Sequence, residues 1–407
     1  MALPSARMDR PRVVITGVGA VTPLGVGAGT SFERWVAGES GIEDGLGRCD
    51  EFTATDFLST KEVHRADRFT QLSIAAAHEA LSQAGFDDGP PIDPERVGCI
   101  VATGVGGVGT VEHGCDVLRD KGPGSVSPLV IPMMMSNAGA GTLALRHGLL
   151  GPSHSVASAC AAGADAIGAA ARLIRTGEAN MVVTGGAEAA LTSLMRTAFE
   201  NMGAVSPSGI SRPFDARRDG FVMGEGAGVL VLEDAKTAAE RDQPVLGEVL
   251  GFGASSDAHH LTAPQPEGSG AARAIVRALE DAGIGPDGVD YVNAHGTSTP
   301  LNDRAETAAL EKALGDAARR TPVSSTKSVT GHMLGAAGAV EAIFALLALR
   351  DGVAPPTVGW EEREEGMDLD YVPEARPLEA GNGEGAVAIS NGFGFGGHNA
   401  VVCLRAT

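Results

Sequence analysis

A run of small apolar residues occurs twice in this chain, and few folds can accommodate it twice. Ala161 to Gly177 reads AAGADAIGAAARLIRTG, and Ala336 to Gly352 reads AAGAVEAIFALLALRDG. Laid on each other without gaps, they agree at seven of 17 positions, including the opening AAGA and the closing glycine. Neither contains proline, and apolar character runs almost all the way round each, which predicts buried helices rather than surface ones. Two similar central helices imply two similar halves, although an Ala-rich composition also produces such matches by chance. With Gly 57 and only 4% aromatic residues, such a core is filled by close backbone packing.

The flanking pattern is α/β. Arg12 to Gly25 is a β-branched run that breaks into a glycine turn, Phe69 to Ala84 has helical periodicity, and Val97 to Thr103 is a strand ending in TGVGG. Arg212 to Gly220 reads as a charged turn into a glycine-interrupted strand, Phe221 to Glu233. Gly17-x-Gly19 superficially resembles a dinucleotide loop, but a third glycine is missing at the required spacing and Pro23 sits where the helix should begin. No linker or charge block divides the 407 residues into independent modules.

Cys160 stands immediately before the first of the two helices. The positive end of a helix dipole lowers a thiol pKa from about 8.5 and favours thiolate, which suits a nucleophile; a lone buried cysteine reads equally as inert packing. Cys49, Cys99, Cys115, Cys160 and Cys403 show no paired spacing, so neither a disulfide frame nor a metal site is expected. No apolar run is long enough to span a membrane, and Met1 to Arg12 lacks a signal-peptide core, so a cytoplasmic protein is expected. A formal charge of −20 argues against nucleic acid. Within that acidic chain Lys61, Arg65 and Arg68, at helical spacing, form either a solvated face or a docking patch for an acidic partner.

Three later segments share one pattern, a β-branched run followed by a turn with polar side chains: VDYVNAHGTSTP, VSSTKSVTGH and VAISNGFGFGGHN. Catalytic groups in α/β proteins gather at strand ends. His295 and His332 each adjoin a glycine, and Gly392 to Gly397 is a permissive loop able to aim an N–H at a reacting oxygen.

ASACAAG, NAHGTSTP, STKSVTGHMLGAAGA and NGFGFGGHN, in this order, resemble the elongating β-ketoacyl-acyl-carrier-protein synthases of the thiolase superfamily. The resemblance implies a duplicated five-layer αβαβα fold that dimerises, with an N-terminal half over 1–250 and a C-terminal half over 251–407. It implies a catalytic set of Cys160, His295 and His332, with Lys327 ordering the histidine region together with Glu306, and Asp303 and Glu341 as accompanying carboxylates. Backbone N–H groups of Cys160 and Phe395 would hold an oxyanion, with Phe393 beside them at the gate. Val105, Val130, Met195 and Phe199 would wall the acyl pocket, Met195 otherwise being plain core packing. Lys61, Arg65 and Arg68 would dock acyl carrier protein. The implied reaction condenses an acyl group on Cys160 with malonyl carrier protein and needs neither metal nor organic cofactor. The partner would be a second identical subunit or a chain-length factor, and the pathway fatty acid or polyketide synthesis. A carrier-binding subunit without condensing activity is the rival, against which Cys160 counts.

Overall fold

The computed structural model describes residues 10–86, 88–379 and 385–407. Ten strands form the main ladder among them. In the first half these are β1 (Val13–Thr22), β2 (Val97–Ala102), β3 (Ser153–His154), β4 (Met181–Glu188) and β5 (Gly226–Asp234). In the second they are β6 (Gly247–Ser256), β7 (Tyr291–Asn293), β8 (Val323–Ser324), β9 (Val387–Gly394) and β10 (His398–Ala406).

The order along the ladder, β3-β2-β4-β5-β1-β6-β10-β9-β7-β8, reads the same from either end in terms of the two halves. In each half the outer three strands are parallel and the inner pairings antiparallel. The halves meet where β1 and β6 pair through Val14 with Glu248 and Ile15 with Gly247. Because β6 starts at Gly247, a division after residue 250 cuts a strand of the second half, and the seam lies just before it.

Five helices matter for the layers: α1 (Arg68–Gln83), α2 (Ala162–Arg175), α3 (Ser269–Ala282), α4 (Pro300–Leu314) and α5 (Ala337–Asp351). Helix α1 covers the outer face of β1 and β5, and α3 covers β6 and β10. Helices α2 and α5 lie between the two halves of the sheet and touch strands of both, giving the layers αβαβα. The duplicated segments are therefore the middle layer, and each helix opens with a 3-10 turn, Ala159–Ala161 and Leu334–Ala336.

Small residues are required where these helices cross. A Cβ on Gly163 would lie 2.6 Å from the Ala339 nitrogen, and one on Gly338 would lie 2.7 Å from the Ala164 nitrogen. The two backbones are thus in direct contact, and the surrounding Ala164, Ala166, Ala336 and Ala337 are fully buried. Gly338→Ala should destabilise the protein by about 1–3 kcal/mol, because neither backbone can withdraw without moving a sheet. Chemical unfolding would measure it, and an unchanged midpoint would mean that the helices do not touch there.

Candidate active site

Five segments converge at one end of the middle layer. Cys160 lies in the 3-10 turn before α2, next to Ala159, whose φ is 50°. His295 follows β7, and His332 follows the short helix Lys327–Thr330. Phe393 and Phe395 belong to the β9–β10 hairpin. Gly392, Phe393 and Gly394 are strand residues here, so only Phe395–Gly397 form the turn and half of the expected glycine loop is ladder. Phe199 reaches in from the helix Ser193–Asn201.

Each histidine is held by its own backbone. His332 donates its N–H to the Val222 carbonyl at 2.7 Å and accepts from the Gly224 N–H at 2.9 Å. The Glu306 carboxylate on α4 accepts from the N–H groups of His295 (2.8 Å) and Gly296 (2.7 Å) and from the Asn391 amide (3.0 Å). Asp303, one turn earlier, accepts from the N–H groups of Thr297 (3.0 Å) and Phe214 (2.8 Å). Lys327 and Glu341 form a buried ion pair, so the lysine's carboxylate partner is Glu341 on α5 rather than the expected Glu306. The reason is geometric, since both Glu306 oxygens are already taken by backbone donors.

The rings of His295 and His332 stand 5.3 Å apart at 85°. Burial, reinforced by the Lys327 ammonium, holds both well below the ordinary histidine value, so both are neutral near pH 7. Each Nδ1 is buried and meets no hydrogen-bond partner among the described residues. A buried lone pair is tolerated better than a buried N–H without an acceptor, so the ring hydrogen belongs on Nε2.

Cys160 departs from the sequence expectation. Burial pushes its thiol up to about 12, while Lys327 and the backbone N–H groups of Phe395 and Cys160 pull the other way. The thiol, not the thiolate, is the resting form, because exclusion from water outweighs the local positive field. Those two N–H groups nevertheless lie against the sulfur.

A cavity of about 430 Å³ is lined by Cys160, His295, His332, Phe393 and Phe395, with Val105 and Phe199 of the anticipated acyl wall. Met195 and Val130 do not line it. Met195 packs on the cluster of Cys160, Ala190 and Leu334. Val130, half-buried on the short helix Val130–Met134, lies against the helix Val108–Lys121 at Gly114.

The basic trio is not a helical stripe. Lys61 lies in the short helix Thr60–Val63, Arg65 in the turn after it, and Arg68 opens α1 behind the Asp67 cap. Arg68, exposed like the other two, is bound in two-pronged fashion to Glu225 at 2.8 and 2.6 Å. Lys61 and Arg65 are exposed. One buried carboxylate escaped the sequence reading altogether. Glu188 accepts from Thr103 Oγ1 (2.8 Å) and from the N–H groups of Gly104 (2.6 Å), Gly335 (3.0 Å) and Val105 (3.4 Å). Burial lifts it to about 7. A lone acid closing an otherwise apolar strand, MVVTGGAE, was the available signal.

Residues 48–238 match the model of the beta-ketoacyl synthase N-terminal domain, and residues 246–361 that of its C-terminal domain. The chain is 42% identical to 3-oxoacyl-[acyl-carrier-protein] synthase 2 of Synechocystis sp., covering 98% of this chain and 99% of that one. It is 43% identical to the protein of the same name from Rhizobium meliloti, over 97% and 98%. Among solved structures it resembles a beta-ketoacyl synthase from Burkholderia phymatum at 33% identity, with a TM-score of 0.89 over 98% of this chain and all of that one. It also resembles the ishigamide ketosynthase/chain length factor at 32% identity and a TM-score of 0.89, over the same shares. Thiolase-like in fold and matched along nearly its whole length, the chain belongs to the beta-ketoacyl synthase family.

Proposed function

We propose that this chain condenses an acyl group held on Cys160 with malonyl-acyl carrier protein, releasing CO₂ and giving a β-ketoacyl carrier protein. The observation that carries this reading is a sulfur lying against two backbone N–H groups in a cavity shared with two neutral histidines. The Cys160 sulfur attacks the incoming thioester carbonyl, and the N–H groups of Cys160 and Phe395 hold the tetrahedral oxyanion. The thiol proton leaves the sulfur as the new carbon–sulfur bond forms and ends on the departing carrier thiolate, so this exchange of thioesters is proton-neutral. Malonyl carrier protein then loses CO₂, and Nε2–H of His295 and of His332 donates to the enolate oxygen. Each such donor is worth about 3 kcal/mol of barrier. The enolate carbon attacks the acyl carbonyl, and collapse expels the Cys160 thiolate, which takes one proton from solvent to restore the thiol. The electron pair for the new C–C bond comes from the broken carboxylate bond, so the sequence of steps closes without metal or organic cofactor.

Acyl carrier protein is the macromolecular substrate in this reading, and exposed Lys61 and Arg65 supply positive charge for its acidic surface. A second subunit follows from a different observation. Strand β3 ends the ladder with an unpaired edge, and Leu118, Ile131, Met135, Leu145 and Leu150 are exposed nearby. Either a second copy or a chain-length factor would cover this face, corresponding to fatty acid or polyketide synthesis. Five free cysteines favour a reducing cytoplasm as the setting. No helix among the described residues is long and apolar enough to cross a membrane.

Cys160→Gln should abolish condensation yet leave CO₂ release from malonyl carrier protein, whereas His295→Ala or His332→Ala should depress that release by about a hundredfold. Radiometric CO₂ assays read both, and undiminished release from the histidine variants would remove the donor assignment. The rate of Cys160 alkylation by iodoacetamide should rise tenfold per pH unit from pH 7 to beyond 9, since the thiolate fraction grows until pH reaches the raised pKa. A plateau near neutrality would instead mean that the thiol is held low. Met195→Gly, which vacates space beside the cluster that holds Cys160, should shift primer preference toward longer acyl chains, at about 0.8 kcal/mol per added CH₂. Competition among primers of graded length would test it, and an unchanged profile would place the channel's end elsewhere.

A further inference from the structure

The two 3-10 turns of the middle layer are equivalent by the duplication, and what faces them differs at one position. Each turn starts with a non-glycine residue at positive φ, Ala159 at 50° and Leu334 at 45°. Each is followed by a residue whose N–H is free of the helix, Cys160 in one half and Gly335 in the other. The strands passing these turns, β4 and β9, are of equal length and pair alike with their neighbours. Their last residues are Glu188 and Gly394. A Cβ on Gly394 would lie 3.1 Å from the Cys160 nitrogen and 2.7 Å from the Ser158 carbonyl oxygen. At the matching place Glu188 does carry a side chain, and its carboxylate sits on the Gly335 N–H at 3.0 Å. Glycine in one half leaves the N–H open toward sulfur and cavity, while glutamate in the other half occupies it with a side-chain oxygen.

We propose that the Gly335 turn is a second oxyanion hole, the counterpart of the one at Cys160, kept permanently filled by the carboxylate of Glu188. It gathers the N–H groups of Gly104, Val105 and Gly335 and the Thr103 hydroxyl around one carboxyl group. Gly104, Val105 and Leu334 line the reaction cavity, and Leu334 packs with Cys160. Glu188 is therefore a positioning residue that joins two stretches of cavity wall, one from each half of the chain. A neutral side chain of the same shape cannot replace it, because an amide turns its own N–H₂ toward backbone donors. This role rests on the reading of Cys160 as the acyl-bearing nucleophile.

The test is Glu188→Ala in the full-length protein, assayed with sodium formate as probe and sodium chloride at equal ionic strength as control. Loss of the carboxylate should lower kcat about tenfold or more while KM for malonyl carrier protein moves less than about threefold. Formate, entering the vacated nest, should recover part of kcat and raise the thermal midpoint, and chloride should do neither. Glu188→Gln should lose kcat without responding to formate, since its nest is filled. Wild-type kcat in Glu188→Ala, or a folded Glu188→Ala that responds to formate no more than to chloride, would overturn the proposal. If Glu188→Ala fails to fold, wild-type kcat in Glu188→Gln overturns it instead. An unmodified chain with no condensing activity would refute the functional reading, whereas the formate-dependent thermal shift would still report on the nest.

Discussion

The contact on which the rest of this molecule depends is the crossing of two helix backbones at Gly163 and Gly338. With no side chains between them, α2 and α5 hold the two halves of the sheet at one separation, and both 3-10 turns arrive at the same end of the layer. The sheet itself joins the halves through only two register pairs between β1 and β6. The relative placement of Cys160, which belongs to one half, and His295 and His332, which belong to the other, is therefore set chiefly by helix contact. Dense packing of this kind has little compliance, which suits a site whose groups must stay aligned.

A second constraint is the burial of four carboxylates around the cavity: Glu188, Asp303, Glu306 and Glu341. Leaving one such charge unmatched would cost several kcal/mol, on the order of a large share of the protein's stability. Three are matched by backbone N–H groups, and the fourth by Lys327. The donors so engaged belong to the loops that carry the histidines and the cavity wall, so the same bonds that neutralise the acids also fix the loops.

How much of this was legible in the sequence follows from the kind of signal each feature leaves. The duplicated helices were visible because close packing forces a long Ala and Gly pattern. Cys160, both histidines and the Phe395 turn were visible because they sit in short segments of unusual composition at a helix start or a strand end. Relations between distant residues were not. The partner of Lys327 depends on which carboxylate is still unoccupied after folding, and the state of the Cys160 thiol depends on how completely water is excluded. Arg68 looked free because Glu225, which captures it, lies far away in the chain. Met195 and Val130 were assigned to a wall by position along the chain, whereas the wall is made by whichever side chains reach it in space. Glu188 left a trace, a single acid at the end of a buried strand, but its meaning appears only when the two halves are superimposed.

The backbone crossing also has a consequence for the history of such a chain. After a duplication, two copies of a segment ordinarily drift apart independently. Here a methyl group gained at residue 163 or 338 is resisted by the other half, not by its own. The two copies therefore remain tied at the residues where they touch, while everything facing the cavity is released to diverge. Asymmetry of function, a sulfur on one turn and a glycine on the other, is what a symmetric scaffold permits once its shared contact has been taken out of play.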